Sequence, residues 1–156
     1  MRKSLTLLAA AATLSTGAFA ADYAIDPTHT FATFEIGHFG ASVNRGRFDK
    51  KEGKISFDKA AKTGSVDISF DVASVNTGTP NFDKHLQSAE ILSAEKFPKA
   101  RFVSTKFQFS GDKVSAVDGN LTLLGKTQPV TLKANQFACY ESPMLKREVC
   151  GGDFET

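Results

Sequence analysis

The chain has 156 residues, a formal net charge of +2 and 41% hydrophobic residues, an ordinary composition for one globular domain. No apolar run reaches the length of about 18 residues that a membrane-spanning helix needs, so the sequence predicts no such helix. The aromatic residues are unusual, because 14 are Phe, two are Tyr and none is Trp.

The first 20 residues have the pattern of a signal peptide. Arg2 and Lys3 precede an apolar stretch at 5–14, and Ala18–Ala20 has small residues at both positions that a signal peptidase recognises. The alternative, a buried N-terminal helix, fits this order of segments less well. We therefore expect cleavage directly after this triplet, a mature chain that begins at Ala21, and a periplasmic location.

Removal of this segment changes the charge. Two of the 19 basic residues lie in the signal segment, and the remaining 17 basic residues match the number of acidic residues, which is also 17. The mature chain is then neutral, so charge gives no reason to expect a nucleic-acid partner.

The only two cysteines, Cys139 and Cys150, would both be exported. Pro143 between them favours a chain reversal, and oxidising compartments favour disulfides. A redox centre typically shows a C-x-x-C motif and a metal site more ligands nearby, so these features favour a structural disulfide.

Alternating apolar and polar residues predict short strands along most of the chain. The clearest run is 66–72, where Val66, Ile68 and Phe70 alternate with polar residues. The other predicted strands lie at 32–38, 55–57, 101–109, 117–123 and 130–134. In the run 101–109, alternation places Phe107 and Phe109 on the face opposite to Phe102. Residues expected in the turns between them are Gly40, Asn44–Gly46, Gly53, Gly64, Gly78, Gly111–Lys113 and Gly125. This spacing predicts an antiparallel sandwich or barrel.

One segment departs from this pattern. Good helix formers follow Pro80 up to Lys96, and Phe97 and Pro98 end the run, which predicts one or two short helices inserted between strands. We expect His85 to cap or tether this helical segment.

Motifs of the common enzyme classes are missing. There is no G-x-S-x-G, H-E-x-x-H, phosphate-binding loop or dinucleotide fingerprint, so no catalytic residue and no cofactor is predicted. His29, His38 and His85 lack the spacing typical of zinc sites. A metal or acid/base function for them would require that they converge in space; local hydrogen bonding or pocket lining is the alternative.

The interior of a barrel of about eight strands is either filled by side chains or holds one small apolar ligand. A Phe that lines a tunnel and a Phe that fills it are identical in sequence. The pattern therefore leaves two functions open, a ligand carrier and a stress or interaction module with a filled core.

Several sequence blocks are similar to those of a known family. They occur in the family's order and are the segments 23–30, 34–40, 46–48, 53–55, 74–78, 83–86, 96–102 and 119–125. In these blocks the chain resembles the YceI-like family of periplasmic polyisoprenoid-binding proteins. The resemblance implies a non-enzymatic lipocalin-like extended antiparallel β-barrel, a possible homodimer, whose channel holds an isoprenoid lipid or the tail of an isoprenoid quinone.

The channel wall is expected on the inward-facing positions of the strands. His38 shares the parity of Phe34 and Ile36 and would contact a polar head group. The full set of candidate ligand-binding residues is Phe34, Ile36, His38, Phe48, Ile55, Phe57, Ile68, Phe70, Val72, Phe102, Leu121, Leu123 and Leu132. Ordinary core packing without ligand contact is the alternative for each of them.

The C-terminal segment differs from the family pattern. Residues 151–156 have the pattern of a strand that has just begun, where relatives continue through that strand and at least one more. We therefore expect the single domain, 21–156, to be incomplete at its C-terminal end, with an open sheet edge.

Overall fold

A computed structural model describes residues 20–156, so the predicted signal peptide, apart from Ala20, lies outside the described residues. Ten strands and one α-helix follow each other in this range, and the all-β prediction with a short helical insert is confirmed. The elements are β1 (Ala21–Tyr23), β2 (Ala32–His38), β3 (Ser42–Phe48), β4 (Lys51–Asp58), β5 (Thr63–Asp71), β6 (Val75–Asn76), α1 (Pro80–Gln87), β7 (Lys99–Ser110), β8 (Lys113–Leu123), β9 (Lys126–Ser142) and β10 (Arg147–Glu155).

The strands form two antiparallel sheets. The larger has seven strands in the order β1-β4-β5-β7-β8-β9-β10, and the smaller has three in the order β2-β3-β6. Most neighbours in the larger sheet are joined by short turns, as the regular spacing of turn residues predicts. Alternation of side chains along each strand gives the larger sheet one predominantly apolar face.

The larger sheet curls so that distant strands approach each other. Tyr23 in β1 and Glu148 in β10, on the two edge strands, are joined by a hydrogen bond of 2.6 Å. The rings of Phe57 in β4 and Phe137 in β9 lie 5.4 Å apart between centroids, although three strands separate β4 from β9 in the sheet. The sheet is therefore a half-barrel whose apolar face is concave.

A second, smaller core connects the two sheets. Val72 is only 1% exposed and packs with Ala94 and Ala100, and Phe48 and Leu92 cover this cluster. Val72 lies in a short 3-10 turn, Val72–Ser74, that follows β5, so it supports the end of the sheet from this second core.

The helical insert is shorter than the predicted segment, because α1 ends at Gln87 and turns follow it. Pro80 is its first residue, where the missing N–H costs nothing. His85 lies exposed in the last turn of α1, and its function as a cap or tether of the helix stays a prediction. Asp83 tethers the helix: its carboxylate accepts hydrogen bonds of 2.7 Å from both the backbone N–H and the hydroxyl of Thr77.

Three glycine-containing segments predicted as turns lie inside strands. Gly46 belongs to β3, Gly53 to β4 and Gly64 to β5. A Cβ on Gly46 would lie 2.4 Å from the Phe34 ring, and a Cβ on Gly53 would lie 2.3 Å from the carbonyl oxygen of Asp67. Close packing within the sheets, not a chain reversal, explains these glycines.

The last strand begins earlier than its sequence pattern indicates. β10 starts at Arg147 and pairs with β9 as far as Glu155, with an irregular register between Asp153 and Phe154. The register places Cys150 directly opposite Cys139.

Candidate functional site

The concave face of the seven-stranded sheet is lined by one continuous apolar cluster. Its most buried members are Phe57, Phe102, Val114 and Val117. Half-buried side chains surround them: Tyr23, Val66, Ile68, Phe107, Phe109, Leu121, Val130, Leu132, Phe137, Cys139, Cys150 and Phe154. The cluster includes residues from all seven strands of the sheet.

The strand register places eight of the predicted wall residues on this face. Directly opposed residues in an antiparallel pair share a face, as do alternate residues along one strand. Ile68 is opposed to Phe102, and Phe102 in turn to Leu121. The eight residues are Ile55, Phe57, Ile68, Phe70, Phe102, Leu121, Leu123 and Leu132.

The other predicted residues lie elsewhere. The rings of Phe34 and Phe48 lie 5.7 Å apart on the smaller sheet, and Phe48 joins the second core. Ile36 is 53% exposed and His38 is also exposed. Because β2 pairs only with β3, in a separate sheet, the parity that Ile36 and His38 share with Phe34 does not direct them to the concave face.

The structure adds a group of aromatic residues that strand parity did not identify. The prediction that Phe107 and Phe109 face away from Phe102 is wrong, because β7 has a register irregularity between Ser104 and Lys106 that returns both rings to the concave face. Phe137 and Phe154, which also belong to this face, lie in regions of β9 and β10 where no clear alternation is visible in the sequence.

These rings fill one end of the half-barrel. The ring centroid of Phe57 lies 6.2 Å from that of Phe107, 6.4 Å from that of Phe109 and 5.4 Å from that of Phe137. Phe137 also contacts Phe154 at 6.2 Å. This end lies near the β4–β5 turn, since Phe57 is opposed to Gly64, the second residue of β5.

The other end of the concave face is more open. Leu123, the last residue of β8, is 36% exposed, and Leu121 is opposed to the polar residue Gln128. Phe70 is half-buried near the end of β5 and is opposed to the small residue Ala100. The face therefore has an end filled by aromatic rings and an end bordered by half-exposed aliphatic side chains.

A disulfide and a hydrogen bond hold the hairpin of β9 and β10 over the filled end. Cys139 and Cys150 are bonded to each other, which confirms the predicted disulfide. The Tyr23 hydroxyl donates its hydrogen bond to Glu148 and lies 3.5 Å from the Cys150 sulfur. This hydrogen bond to the Glu148 carboxylate favours the protonated phenol and, together with burial and repulsion by the Glu148 charge, raises the pKa of Tyr23 to about 12.

Two open clefts of about 480 Å³ each lie beside the smaller sheet. Two ion pairs border these clefts: Arg45 with Glu35 at 2.6 Å, and Arg47 with Asp49 at 2.7 Å. A hydrogen bond from Asn76 is the largest cause of the lowered pKa of Asp49, and Arg47 adds to it. The first cleft is lined by 49–50, 73–76, 78, 80 and 83, and the second by 33–35, 45–47 and 76–78, so neither includes the apolar cluster.

The histidines do not form a group of metal ligands within residues 20–156. In that range the one triplet of ligand atoms within 4.8 Å of each other is Cys139, Glu148 and Cys150, and its two sulfurs are joined in the disulfide. His29 contacts Asp26 at 2.7 Å, and His38 packs against Phe39. Hydrogen bonds from Thr28 and His29 to the Asp26 carboxylate lower its pKa.

Known proteins place the chain in a family. Residues 23–155 match the YceI-like domain, which includes nearly every described residue. The chain belongs to the YceI-like family. The resemblance identified from sequence blocks is therefore confirmed.

Relatives of this YceI-like chain share its sequence over most of its length. It is 42% identical over 139 residues to the UPF0312 protein of Pseudomonas savastanoi pv. phaseolicola, and this alignment covers 86% of the chain and 72% of the relative. It is 40% identical over 148 residues to the protein YceI of Salmonella arizonae, and this alignment covers 92% of the chain and 77% of that relative.

Solved structures share the fold of this chain. BcnA of Burkholderia cenocepacia superimposes with a TM-score of 0.66 at 26% identity, over 74% of this chain and 72% of that one. A mutant of the Campylobacter jejuni YceI protein gives a TM-score of 0.66 at 28% identity, over 85% and 77%. The fold of this YceI-like chain is thus shared with a solved YceI protein. No helix among residues 20–156 is long and apolar enough to span a membrane.

Proposed function

We propose that this YceI-like protein binds a long apolar ligand, an isoprenoid lipid or the tail of an isoprenoid quinone, on the concave face of its larger sheet. The observation that carries the proposal is the continuous apolar cluster contributed by all seven strands. A monomeric soluble domain rarely leaves such a face partly uncovered without a function for it.

The proposed ligand suits this surface physically. An isoprenoid tail has no polar atoms, so burial of its surface is favourable by about 25 cal/mol per Å² and requires no hydrogen bonds. The wall is similarly apolar, since Ile68, Phe102 and Leu121 are opposed to each other across three strands. Polar contacts are needed only at a head group.

The aromatic rings set the proposed position of the tail. The tail would lie against Phe70, Leu121 and Leu123 at the more open end and end at the rings around Phe57. The remaining wall residues in this proposal are Ile55, Ile68, Phe102 and Leu132, with Phe34, Phe48 and Val72 supporting the wall from the smaller sheet and the second core. Ile36 and His38 stay outside the proposed wall because they are exposed on β2.

We further infer that the protein acts in the periplasm as a carrier, store or scavenger, not as an enzyme. The basic and apolar segments before residue 20 support export, and the disulfide between Cys139 and Cys150 suits an oxidising compartment. Family membership and the absence of common catalytic motifs in the sequence support a binding function. The homodimer that the resemblance implies stays a prediction.

One observation favours a second function. The rings of Phe57, Phe107, Phe109 and Phe137 already fill one end of the half-barrel, as expected for a stress or interaction module with a solid core. Such a protein would retain no apolar ligand.

Mass spectrometry separates these functions. The full chain is expressed with its own signal segment, purified from the periplasm without detergent, and its organic extract is analysed. We expect one apolar isoprenoid compound in a fixed ratio to protein, and an intact mass that begins at Ala21. Reproducible absence of any apolar compound would contradict the binding function and favour the filled-core module.

A further inference from the structure

The hairpin between β9 and β10 has a well-defined tip that projects from the sheet. Ser142 is buried and organises the turn: its carbonyl accepts a hydrogen bond of 2.8 Å from the Lys146 N–H, and its hydroxyl accepts one of 3.2 Å from the Leu145 N–H. The residues 143–146 between the two strands are all exposed. The turn thus presents a short, ordered segment to solvent.

The tip exposes large apolar side chains. Met144 is 89% exposed and Leu145 is 55% exposed. Tyr140, on the adjacent end of β9, is also exposed. Contact of these exposed side chains with water is unfavourable, and their burial against an apolar surface would lower the free energy.

The charges nearest the tip are both positive. Lys146 directly follows the two apolar residues and Arg147 comes next, and both are exposed. The carboxylates of the hairpin lie further back, because Glu141 and Glu148 form the pair behind Ser142 and Arg147. Glu148 is in addition hydrogen-bonded to Tyr23.

This combination differs from the turn that contains Phe39. Phe39, between β2 and β3, is 95% exposed, but the nearest cation on that hairpin, Arg45, is paired with Glu35. The β9–β10 tip therefore combines two largely exposed apolar side chains with two adjacent exposed cations, a combination that the Phe39 turn lacks.

We propose that the tip 143–147 docks on the surface of an anionic lipid bilayer. Met144 and Leu145 enter the boundary between head groups and acyl chains, and Lys146 and Arg147 contact the anionic head groups. A protein partner is less suited, because a tip of five residues offers far less than the area of a specific protein interface. The proposal goes beyond ligand binding and does not require that the concave face holds a lipid.

Vesicle co-sedimentation tests the docking. The probes are vesicles of phosphatidylethanolamine with phosphatidylglycerol, and vesicles of phosphatidylcholine alone, both free of isoprenoid lipid. We expect the mature protein to bind the anionic vesicles and to dissociate as salt increases. The variant M144S/L145S should bind at least about tenfold more weakly, because it loses the favourable burial of the two apolar side chains in the bilayer. The variant K146Q/R147Q should lose the preference for anionic vesicles.

The exposed turn at Phe39 supplies the matched control. Phe39→Ser removes a more exposed apolar side chain elsewhere and should leave vesicle binding unchanged. Equal binding by M144S/L145S and the unchanged protein, or an equal loss in Phe39→Ser, would overturn the proposal. So would binding restricted to native membranes and abolished by protease treatment of those membranes, which would assign the tip to a protein partner.

Fluorescence gives a second measurement that does not depend on loss of binding. The chain has no Trp, so Met144→Trp introduces a single reporter at the tip and Phe39→Trp one at the control turn. We expect a blue shift on anionic vesicles for Met144→Trp only. Emission from Met144→Trp that is unchanged by the vesicles would overturn insertion of the tip. Because the vesicles contain no isoprenoid lipid, failure here is distinct from failure of the extraction experiment.

Discussion

Tyr23 and Glu148 lie 125 residues apart in the chain, yet the Tyr23 hydroxyl donates a hydrogen bond of 2.6 Å to the Glu148 carboxylate. This bond joins β1 to β10, the two edge strands of the seven-stranded sheet. It is therefore direct evidence that the sheet curls. It also places the disulfide next to the first strand, since Cys150 lies two residues from Glu148.

Removal of the Tyr23 hydroxyl should weaken the connection between β1 and β10. We expect Tyr23→Phe to lower the free energy of unfolding by about 1 kcal/mol, the typical contribution of one hydrogen bond. Urea denaturation measures it. Tyr140→Phe, at an exposed tyrosine of the same hairpin, is the control and should have no measurable effect. Equal stability of the two variants would show that the bond does not contribute.

The titration of Tyr23 should be displaced to high pH. The chain has two tyrosines, so Tyr140→Phe leaves Tyr23 as the only phenol. Ultraviolet absorbance should report ionisation at about pH 12 instead of the usual 10. Because the folded state holds its proton more tightly, the stability from this bond is complete below pH 10 and is lost as pH rises to about 12. A midpoint near 10 in the folded protein would contradict the bond.

Loss of the disulfide should destabilise the hairpin of β9 and β10. We expect the double variant C139A/C150A to lose about 3 kcal/mol, the value that chain entropy predicts for a loop of this size. A free-thiol assay on the denatured, oxidised protein should detect no thiol. Detection of two thiols would contradict the bond.

A polar side chain in the proposed wall should expel the ligand. Phe70 is half-buried and opposed to Ala100, so Phe70→Gln would place an amide against the tail. We expect the ratio of ligand to protein in the native extract to fall at least about tenfold. Ile91→Gln, at an exposed apolar residue outside both sheets, should retain the ligand. If folded Phe70→Gln protein retains the ligand at the original ratio, Phe70 is not part of the wall.

A methyl group at Gly53 should disrupt the sheet. Its Cβ would lie 2.3 Å from the carbonyl oxygen of Asp67, a backbone atom that cannot rotate away. We expect Gly53→Ala to lower the free energy of unfolding by about 1 to 3 kcal/mol, as overpacking typically does. Gly37→Ala, in β2 with no atom within 4 Å of the new Cβ, is the control. Equal urea midpoints for the two variants would contradict the close packing.

Alternation in the sequence predicted the strands where one face is apolar and the other polar. It located the run from Val66 to Phe70 and placed Ile68 and Phe102 correctly on one face. It failed at glycines such as Gly53, because the same residue type serves turns and close strand packing. It failed again at Phe107, because one unpaired residue in β7 reverses the parity beyond it.

The sequence alone determined the family, the strand-rich class and the cysteine pair, because these depend on residue types and local spacing. The tertiary structure decided which apolar side chains share a surface. Ile36 and Phe102 are equally apolar in sequence, but Ile36 lies exposed on a separate sheet and Phe102 is buried in the concave face. Strand order and curvature bring β1 next to β10 and Phe57 next to Phe137, and both arise from long-range pairing that no local pattern contains.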